Sequence, residues 1–304
     1  MDELTTREAS QPFSSTAAAL VLREACSVVG ASSTNATLMR LGENAIFSVQ
    51  HPSLVVRIAR SRGHLRDAEK EVRVARWLER CEVPAARLYP VEQPILVGAH
   101  PVTFWRKVAD TGDKASASAL GAALRLVHDC GIDDAVGLPR LDIFGRVGDR
   151  LSKAANVSPE VLNFLHSRLG NLRTAYAALS FPSPPVALHG DAHVKNLICT
   201  PDNEAILIDF EAFCFGPPEV DLSVTATEYE IGWHSPEDYH AFCEAYGADV
   251  REWSGFQILR DINLFKMTTW LMQNVGESDL HAEEFDRRLA TLRRPTARSQ
   301  WQPF

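Results

Sequence analysis

Residues 188–211 read LHGDAHVKNLICTPDNEAILIDFE, a stretch in which polar residues alternate with short apolar runs. Asp191 is followed five positions later by Asn196, and the apolar run AILI further on ends at Asp209. A short apolar run bounded by turn residues such as PDN predicts a buried strand. The stretch therefore predicts two strands joined by a loop, with polar residues where the strands begin and end.

This order of polar groups suits transfer of a phosphoryl group to a hydroxyl. The reaction needs one carboxylate that orients the hydroxyl and accepts its proton, and an amide oxygen with a second carboxylate to hold Mg²⁺. The catalytic loop of protein kinases, H-R-D-x-x-x-x-N followed by D-F-G, has the same Asp-to-Asn spacing. Here Gly190 stands in place of the Arg, and Glu211 in place of the last Gly.

The same residues allow a second interpretation, a metal-dependent hydrolase. His189, Asp191 and His193 occupy alternate positions, so an extended segment would present all three as ligands on one side. A dinuclear site needs comparable clusters elsewhere, and the other histidines are isolated, at positions 51, 64, 100, 128, 166, 234, 240 and 281. The hydrolase is therefore kept as an alternative.

Composition is that of an ordinary globular enzyme. The 304 residues are 45% hydrophobic and 23% charged, and the net charge of −8 disfavours a nucleic-acid partner. The six cysteines form no C-x-x-C pair, which disfavours a disulfide framework or a zinc ribbon and fits a reducing cytoplasm. No signal peptide or membrane span is evident. We expect a cytoplasmic protein without a membrane partner, either a monomer or a homodimer.

The pattern along the chain changes near residue 106. Before it, residues 65–78 have helical spacing, and short segments between turn residues predict strands at 36–41, 45–50, 54–60, 86–91, 94–99 and 100–108. After it, helical patterns prevail, at 116–130, 158–179 and past 236. We expect an α+β fold with an N-terminal lobe at 1–106, its first residues (about 13) disordered, and a C-terminal lobe at 107–304.

Two longer stretches, LHGDAHVKNLI at 188–198 and ILIDFEAFCFGPPEVDLS at 206–223, resemble the aminoglycoside phosphotransferase/choline kinase family. The family signature is H-G-D-x-x-x-x-N, then an apolar residue with D-F/W-E/D, then G-x-P-x-x-D-L. Looser similarity extends over about residues 40–225. The resemblance implies a two-lobed protein-kinase-like fold, with a small antiparallel-sheet lobe and a larger, mostly helical lobe. It also implies ATP or another nucleoside triphosphate as donor, together with Mg²⁺.

The resemblance implies a role for each matching residue. Asp191 matches the catalytic base, and Asn196 and Asp209 match the magnesium ligands. Arg57 stands where the family has its phosphate-contacting cation, often a lysine, and Glu71 matches the carboxylate that pairs with this cation. Arginine is not interchangeable with lysine here, because its planar guanidinium can bridge two phosphate oxygens.

The remainder of the implied nucleotide site is less sharply marked. Glu69, two positions before the matching carboxylate, competes for the pairing role. The segment LGENAIF offers Gly42 and Asn44 for phosphate contacts, in place of a G-x-G-x-x-G loop. In VTFWRKV, Phe104 and Trp105 match the hinge that faces adenine, although Trp105 suits a core position equally well.

The sequence does not name the acceptor, and the resemblance points to hydroxylated antibiotics, choline-like amines or sugars. Residues 224–253 carry seven carboxylates and one basic residue, Arg251. Carboxylates at this density attract a polycation, and aromatic rings can stack on it. We expect an amino-bearing, hydroxylated acceptor, first an aminoglycoside-type antibiotic, with a neutral sugar, a macrolide or a choline-like metabolite as alternatives. The candidate contacts are Glu228, Tyr229, Glu230, Trp233 and Trp270.

Two further functions stay open. A protein kinase would show a Gly-rich loop, the Arg of H-R-D, and a longer segment after Asp209 to hold a peptide. A catalytically silent nucleotide-binding module would need a defect elsewhere, because all three polar residues of the catalytic centre are present. Release of ADP from ATP distinguishes an enzyme from a silent module.

Overall fold

The computed structural model describes residues 13–131, 134–154, 156–294 and 301–303, so the disorder predicted for the N-terminus falls outside these ranges except at residue 13. The chain divides into two compact units, Met1–Arg80 with Ala85–Ala109, and Cys81–Pro84 with Asp110–Phe304. The sequence predicts this boundary at residue 106. In the described ranges, every helix is too short or too polar to cross a lipid bilayer. The cytoplasmic location stays a prediction.

The first unit contains an antiparallel sheet of five strands, as the sequence predicts. Its elements in chain order are α1 (Ser15–Val28), β1 (Thr37–Leu41), β2 (Asn44–Val49), β3 (Leu54–Ala59), α2 (Leu65–Arg80), β4 (Ile95–Val97) and β5 (His100–Arg106). The strand order is β1-β2-β3-β5-β4. In β3, Val56 and Ile58 are buried in the core that includes α1, and the period of two turns Arg57 to the opposite face.

The second unit is mostly helical. Its elements are α3 (Ala117–Asp129), α4 (Val147–Ser152), α5 (Pro159–Ala177), β6 (Val186–Leu188), β7 (Leu197–Cys199), β8 (Ala205–Leu207), β9 (Cys214–Gly216), α6 (Glu219–Glu230), α7 (Pro236–Tyr246), α8 (Phe256–Leu271) and α9 (Asp279–Arg293). The short strands form two ribbons, β6–β9 and β7–β8. Apolar residues of α5, α8 and α9 supply much of the core, including Leu165, Phe265 and Leu289.

Helix starts in this unit follow local sequence signals. Ser116 and Ser158 cap α3 and α5, where each side-chain oxygen accepts a hydrogen bond from a backbone N–H of the first turn. Ser235 and Asp238 form a reciprocal capping box at α7. These contacts lie within four residues of sequence, which explains why the helices can be predicted closely.

One predicted strand is wrong. Residues 86–91 form no strand, and only Leu88 makes an isolated bridge, to Trp105. Pro90 lies within the segment, and a proline has no N–H to donate to a sheet ladder. The segment instead makes scattered contacts, such as the hydrogen bond from Tyr89 N to Phe104 O of 2.9 Å.

The sequence disfavours a disulfide framework, but it does not reveal one disulfide that the described residues form. Cys81 and Cys130 form a disulfide in the second unit, with Cα atoms 6.0 Å apart. Cys81 follows α2 directly and Cys130 is the C-cap residue of α3. The two are 49 residues apart, and no spacing rule marks such a pair in the sequence.

Candidate active site

The β7–β8 ribbon brings the two predicted metal ligands to one end. Leu197 pairs with Leu207, so Asn196, directly before β7, lies opposite the residues that follow β8. Ile208 N donates to Asn196 O at 2.9 Å, which extends the pairing by one step. Asp209 comes next, with a left-handed backbone (φ 64°), a conformation that aspartate tolerates better than most residues.

Asn196 is oriented by the catalytic loop. Its Nδ2 donates to Asp191 O at 2.8 Å and lies 3.3 Å from Asp191 Oδ2. The amide oxygen therefore faces away from Asp191, and the described residues donate no hydrogen bond to it. An oriented amide oxygen of this kind is a suitable ligand for a hard cation.

Asp191 projects from the loop with a side chain that is 57% exposed. Both of its hydrogen bonds from side chains reach Oδ2, from Asn196 at 3.3 Å and from His193 Nε2 at 3.3 Å. Oδ1 receives none from the described residues. Desolvation raises the pKa of Asp191, but the hydrogen bond and charge of His193, with the charge of His189 and the Asn196 bond, lower it to about 2. The group is therefore a carboxylate at neutral pH, with one oxygen held and the other open.

Gly190 explains why the loop lacks the arginine of H-R-D. Its backbone is left-handed (φ 80°), and a Cβ atom there would collide with the carbonyl oxygen of Ala212 in the turn after Asp209. Only glycine combines this backbone with so close an approach. The turn that follows Asp209 therefore packs directly on the catalytic loop.

His189 has a structural role within the loop. Its side chain is fully buried, with Nε2 3.0 Å from Ile208 O, and Nδ1 accepts from Asp191 N at 3.4 Å. Both ring nitrogens are thus used inside the loop. The metallohydrolase alternative needs one of them as a ligand, and the described residues contain no group of three His, Cys, Asp or Glu arranged to hold a metal.

Asp221, near the start of α6, holds the backbone of the catalytic loop. Its carboxylate accepts from His189 N at 2.7 Å and from Gly190 N at 3.0 Å. Its Oδ2 also lies 3.1 Å from His128 Nε2, and His128 Nδ1 lies 2.9 Å from the Tyr246 hydroxyl. Sequence reasoning missed His128 and Tyr246, because a histidine on an apolar helix face is usually only a core residue.

In the first unit, Arg57 is held by two side chains. Its Nη1 donates to Glu71 Oε2 at 2.7 Å, so Glu71 rather than Glu69 is the partner. With its amide oxygen toward the guanidinium, Asn44 accepts from Arg57 Nε at 3.0 Å and from Nη2 at 2.7 Å. Gly42 lies beside them in the turn between β1 and β2, where its carbonyl accepts from Arg60 at 2.9 Å.

Phe104 and Trp105 have core roles. Phe104 is fully buried, and its N–H donates to Gln93 Oε1 at 2.7 Å while its carbonyl accepts from Tyr89 N. Trp105 is 8% exposed, and its Nε1 donates to Thr103. The prediction that these two residues face adenine does not fit this packing, because the side chains and the Phe104 backbone groups are already engaged.

Most of the predicted acceptor residues are also engaged. Glu230 pairs with Arg260 at 3.1 Å, and Tyr229 stacks on Tyr239 with Arg251 over both rings. Trp233 donates to Trp301 O at 2.8 Å. These three residues therefore have packing and charge-neutralising partners within the protein, and their role as acceptor contacts stays a prediction.

Two members of the predicted acceptor set differ from the rest. Trp270 on α8 is 41% exposed. Glu228 is mostly buried on α6 and pairs with His234 Nε2 at 3.0 Å, yet its charge also acts on His193 in the catalytic loop. The charge of Glu228 therefore reaches the catalytic loop at His193, which periodicity alone could not reveal.

The sequence model of the phosphotransferase enzyme family matches residues 37–258, more than two thirds of the chain. No curated protein sequence is significantly similar to this chain. Among solved structures, an amicoumacin kinase in complex with AMP-PNP and Ca²⁺ has a TM-score of 0.70 at 14% identity, covering 93% of this chain and 95% of that one.

Two further structures are similar. A microcompartment-associated aminopropanol kinase has a TM-score of 0.68 at 17% identity, with coverage of 89% and 94%. A choline kinase from Streptococcus pneumoniae has a TM-score of 0.62 at 14% identity, with coverage of 90% and 98%. These similarities confirm the predicted two-lobed, protein-kinase-like α+β fold.

Proposed function

Since this chain belongs to the phosphotransferase enzyme family, we propose that it moves the γ-phosphoryl group of ATP to a hydroxyl of a small molecule. The observation that carries the proposal is the β7–β8 ribbon, which holds Asn196 and Asp209 at one end, with Asn196 bonded to Asp191. An acid-base carboxylate and two oxygen donors in this order are what phosphoryl transfer requires.

Mg²⁺ is the metal that these residues fit. Asn196 offers an oriented amide oxygen and Asp209 a carboxylate, and hard cations prefer oxygen ligands of both kinds. We assign the two side chains as its protein ligands. When bound, Mg²⁺ neutralises part of the charge on the phosphate groups.

Asp191 receives the acceptor hydroxyl. With a pKa of about 2 it is a weak base, so we assign it mainly to orientation. In a loose transition state, alignment of the attacking oxygen contributes more than early removal of its proton. Its open Oδ1 accepts the hydroxyl hydrogen bond and takes the proton as the new P–O bond forms, while the bond from the γ-phosphorus to the bridging oxygen breaks and ADP leaves.

Arg57 contacts the donor phosphates in this proposal. Glu71 and Asn44 fix its guanidinium from two directions, which limits the rotamer freedom that binding would otherwise remove. The turn at Gly42 lies beside this group, and its own N–H is used within the turn, where it donates to Asn44 O at 3.0 Å.

The acceptor is proposed to be a hydroxylated molecule with an amino group, first an aminoglycoside-type antibiotic. The net charge of −8 and the exposed Trp270 support a cationic ligand, and two similar structures are kinases named for amine-bearing alcohols, aminopropanol and choline. A neutral sugar or macrolide is the second class, since Glu230 is already neutralised by Arg260.

The test is ADP release from Mg²⁺-ATP with a panel of acceptors: kanamycin, spectinomycin, choline, 1-amino-2-propanol, glucose and erythromycin. We expect one acceptor to raise the rate well above that without acceptor. Asp191→Asn should lower kcat by roughly 10²- to 10⁴-fold with ATP affinity little changed.

Two results would oppose the proposal. One is full activity in folded Asp191→Asn, and the other is the absence of both ATP binding and ADP release in the wild type. To separate acceptor classes, kcat/KM is measured at two salt concentrations, because salt weakens the steering of a cation but not of a neutral sugar.

A further inference from the structure

His193 touches the carboxylate that the proposed reaction depends on. Its Nε2 lies 3.3 Å from Asp191 Oδ2, the oxygen that Asn196 also contacts. Two donors converging on one oxygen fix the rotation of the carboxylate about χ2, which is otherwise a broad torsion. The orientation that results leaves Oδ1 for the acceptor hydroxyl.

His193 is itself held in place by its backbone. The residue is extended (φ −139°, ψ 158°), its N–H donates to Asp191 O at 3.1 Å, and its carbonyl accepts from Asn196 N at 2.9 Å. These bonds tie the histidine to the base on one side and to a proposed metal ligand on the other. The backbone of His193 is therefore fixed relative to both residues.

The far side of the ring is buried. His193 Nδ1 is inaccessible to solvent and has no hydrogen-bond partner among the described residues. The carboxylate of Glu228 on α6 acts on this ring through its charge, and Glu228 is held by His234 at 3.0 Å. Asp191 and Glu228 both attract the ring through their charges, and because Nδ1 is buried, Nε2 is the nitrogen that faces Asp191.

We propose that His193 is a positioning residue that holds Asp191 Oδ2, and that Glu228 supports this orientation of the ring from α6 rather than binding the acceptor. The inference rests on the proposed phosphotransferase function. It reassigns Glu228, which sequence reasoning places among the acceptor contacts.

The substitutions His193→Ala and His193→Gln separate positioning from a general structural role. The alanine variant removes the donor, so we expect kcat to fall by about tenfold to a hundredfold, the scale of a small misplacement of a reacting group. KM for ATP should stay within about twofold. A glutamine amide reaches a position similar to Nε2 and can donate, so His193→Gln should recover most of the loss.

Glu228→Gln tests the role that the proposal assigns to Glu228. If Glu228 supports the ring, its removal lowers kcat with KM for the acceptor unchanged; if it binds the acceptor, KM rises and kcat is retained. The matched control is His166→Asn, an exposed histidine on α5. Kinetics use the acceptor of the panel with the highest wild-type kcat/KM, or slow ADP release to water if no acceptor is used.

A measurement independent of turnover completes the test. NMR spectra of ¹⁵N-labelled protein report on the histidine rings. The ring resonances that disappear in His193→Gln are those of His193. Asp191→Ala should shift these resonances and leave those of His166 in place. Unshifted resonances, or unchanged kcat in His193→Ala, would overturn the inference even if the wild type is an active kinase. An inactive wild type with a shifted His193 would instead refute the proposed function alone.

Discussion

His128 Nε2 lies 3.1 Å from Oδ2 of Asp221, and both side chains are buried. Through this contact α3 is joined to the carboxylate that also holds the backbone of His189 and Gly190, directly before Asp191. The position of the catalytic loop therefore depends on a helix that lies more than fifty residues earlier in the chain.

The first prediction removes this contact. His128→Ala removes one buried partner from Asp221 and the partner of the Tyr246 hydroxyl, so the free energy of unfolding should fall by about 1–3 kcal/mol. We also expect a lower kcat, because the loop backbone loses part of its support. Urea unfolding and steady-state kinetics measure the two effects, with His166→Ala as control. Unchanged stability and kcat would show that the loop does not need His128.

The second prediction concerns acid stability. Burial raises the pKa of Asp221, but the hydrogen bond and charge of His128, the charge of His189 and the bond from Gly190 N outweigh it, and the pKa is lowered. The unfolded chain, with a pKa of about 3.9, binds this proton more tightly. The stabilisation is therefore complete above that value and is lost as the pH falls through the folded-state pKa.

Asp221→Asn should accordingly show a shallower loss of stability with acid than the wild type. The measurement is the free energy of unfolding from urea titrations between neutral and acidic pH. Asp202→Asn, an exposed residue in the turn between β7 and β8, is the control. Parallel curves for wild type and Asp221→Asn would contradict the assignment.

A third prediction addresses the metal. Asp209→Ala removes an anionic ligand, so the Mg²⁺ concentration needed for half-maximal activity should rise steeply while the fold is retained. Asp202→Ala lies in the same ribbon and should behave as wild type. Activity of Asp209→Ala that matches wild type at low Mg²⁺, or full wild-type activity in EDTA, would exclude these residues as the metal site.

The fourth prediction is the effect of reduction. The Cys81–Cys130 disulfide closes a loop of 49 residues, so its loss should lower the free energy of unfolding by about 2–4 kcal/mol. Reductant should destabilise the wild type but not the Cys81→Ser/Cys130→Ser variant. Thiol titration of the unfolded protein should give four thiols before reduction, from Cys26, Cys199, Cys214 and Cys243. Six thiols before reduction would show that the bond does not form.

The α+β fold, most of the longer helices and the strand-loop-strand ribbon that carries Asn196 and Asp209 follow from the sequence alone, because their determinants lie within short stretches. Serine caps, helical spacing and a strand-loop-strand ribbon act over a few residues, so a reader of the sequence can recognise them. The resemblance to a phosphotransferase family also rests on local motifs. The match of the family's sequence model to residues 37–258 confirms this resemblance.

Only the tertiary structure decided which charged and aromatic groups are available. Glu230 is neutralised by Arg260, thirty residues away, and Phe104 gives its N–H to Gln93. His128 reaches Asp221 across 93 residues. Such pairings depend on how helices and strands pack, since a side chain's charge and exposure are set by its neighbours in space, and periodicity records only which face a residue occupies.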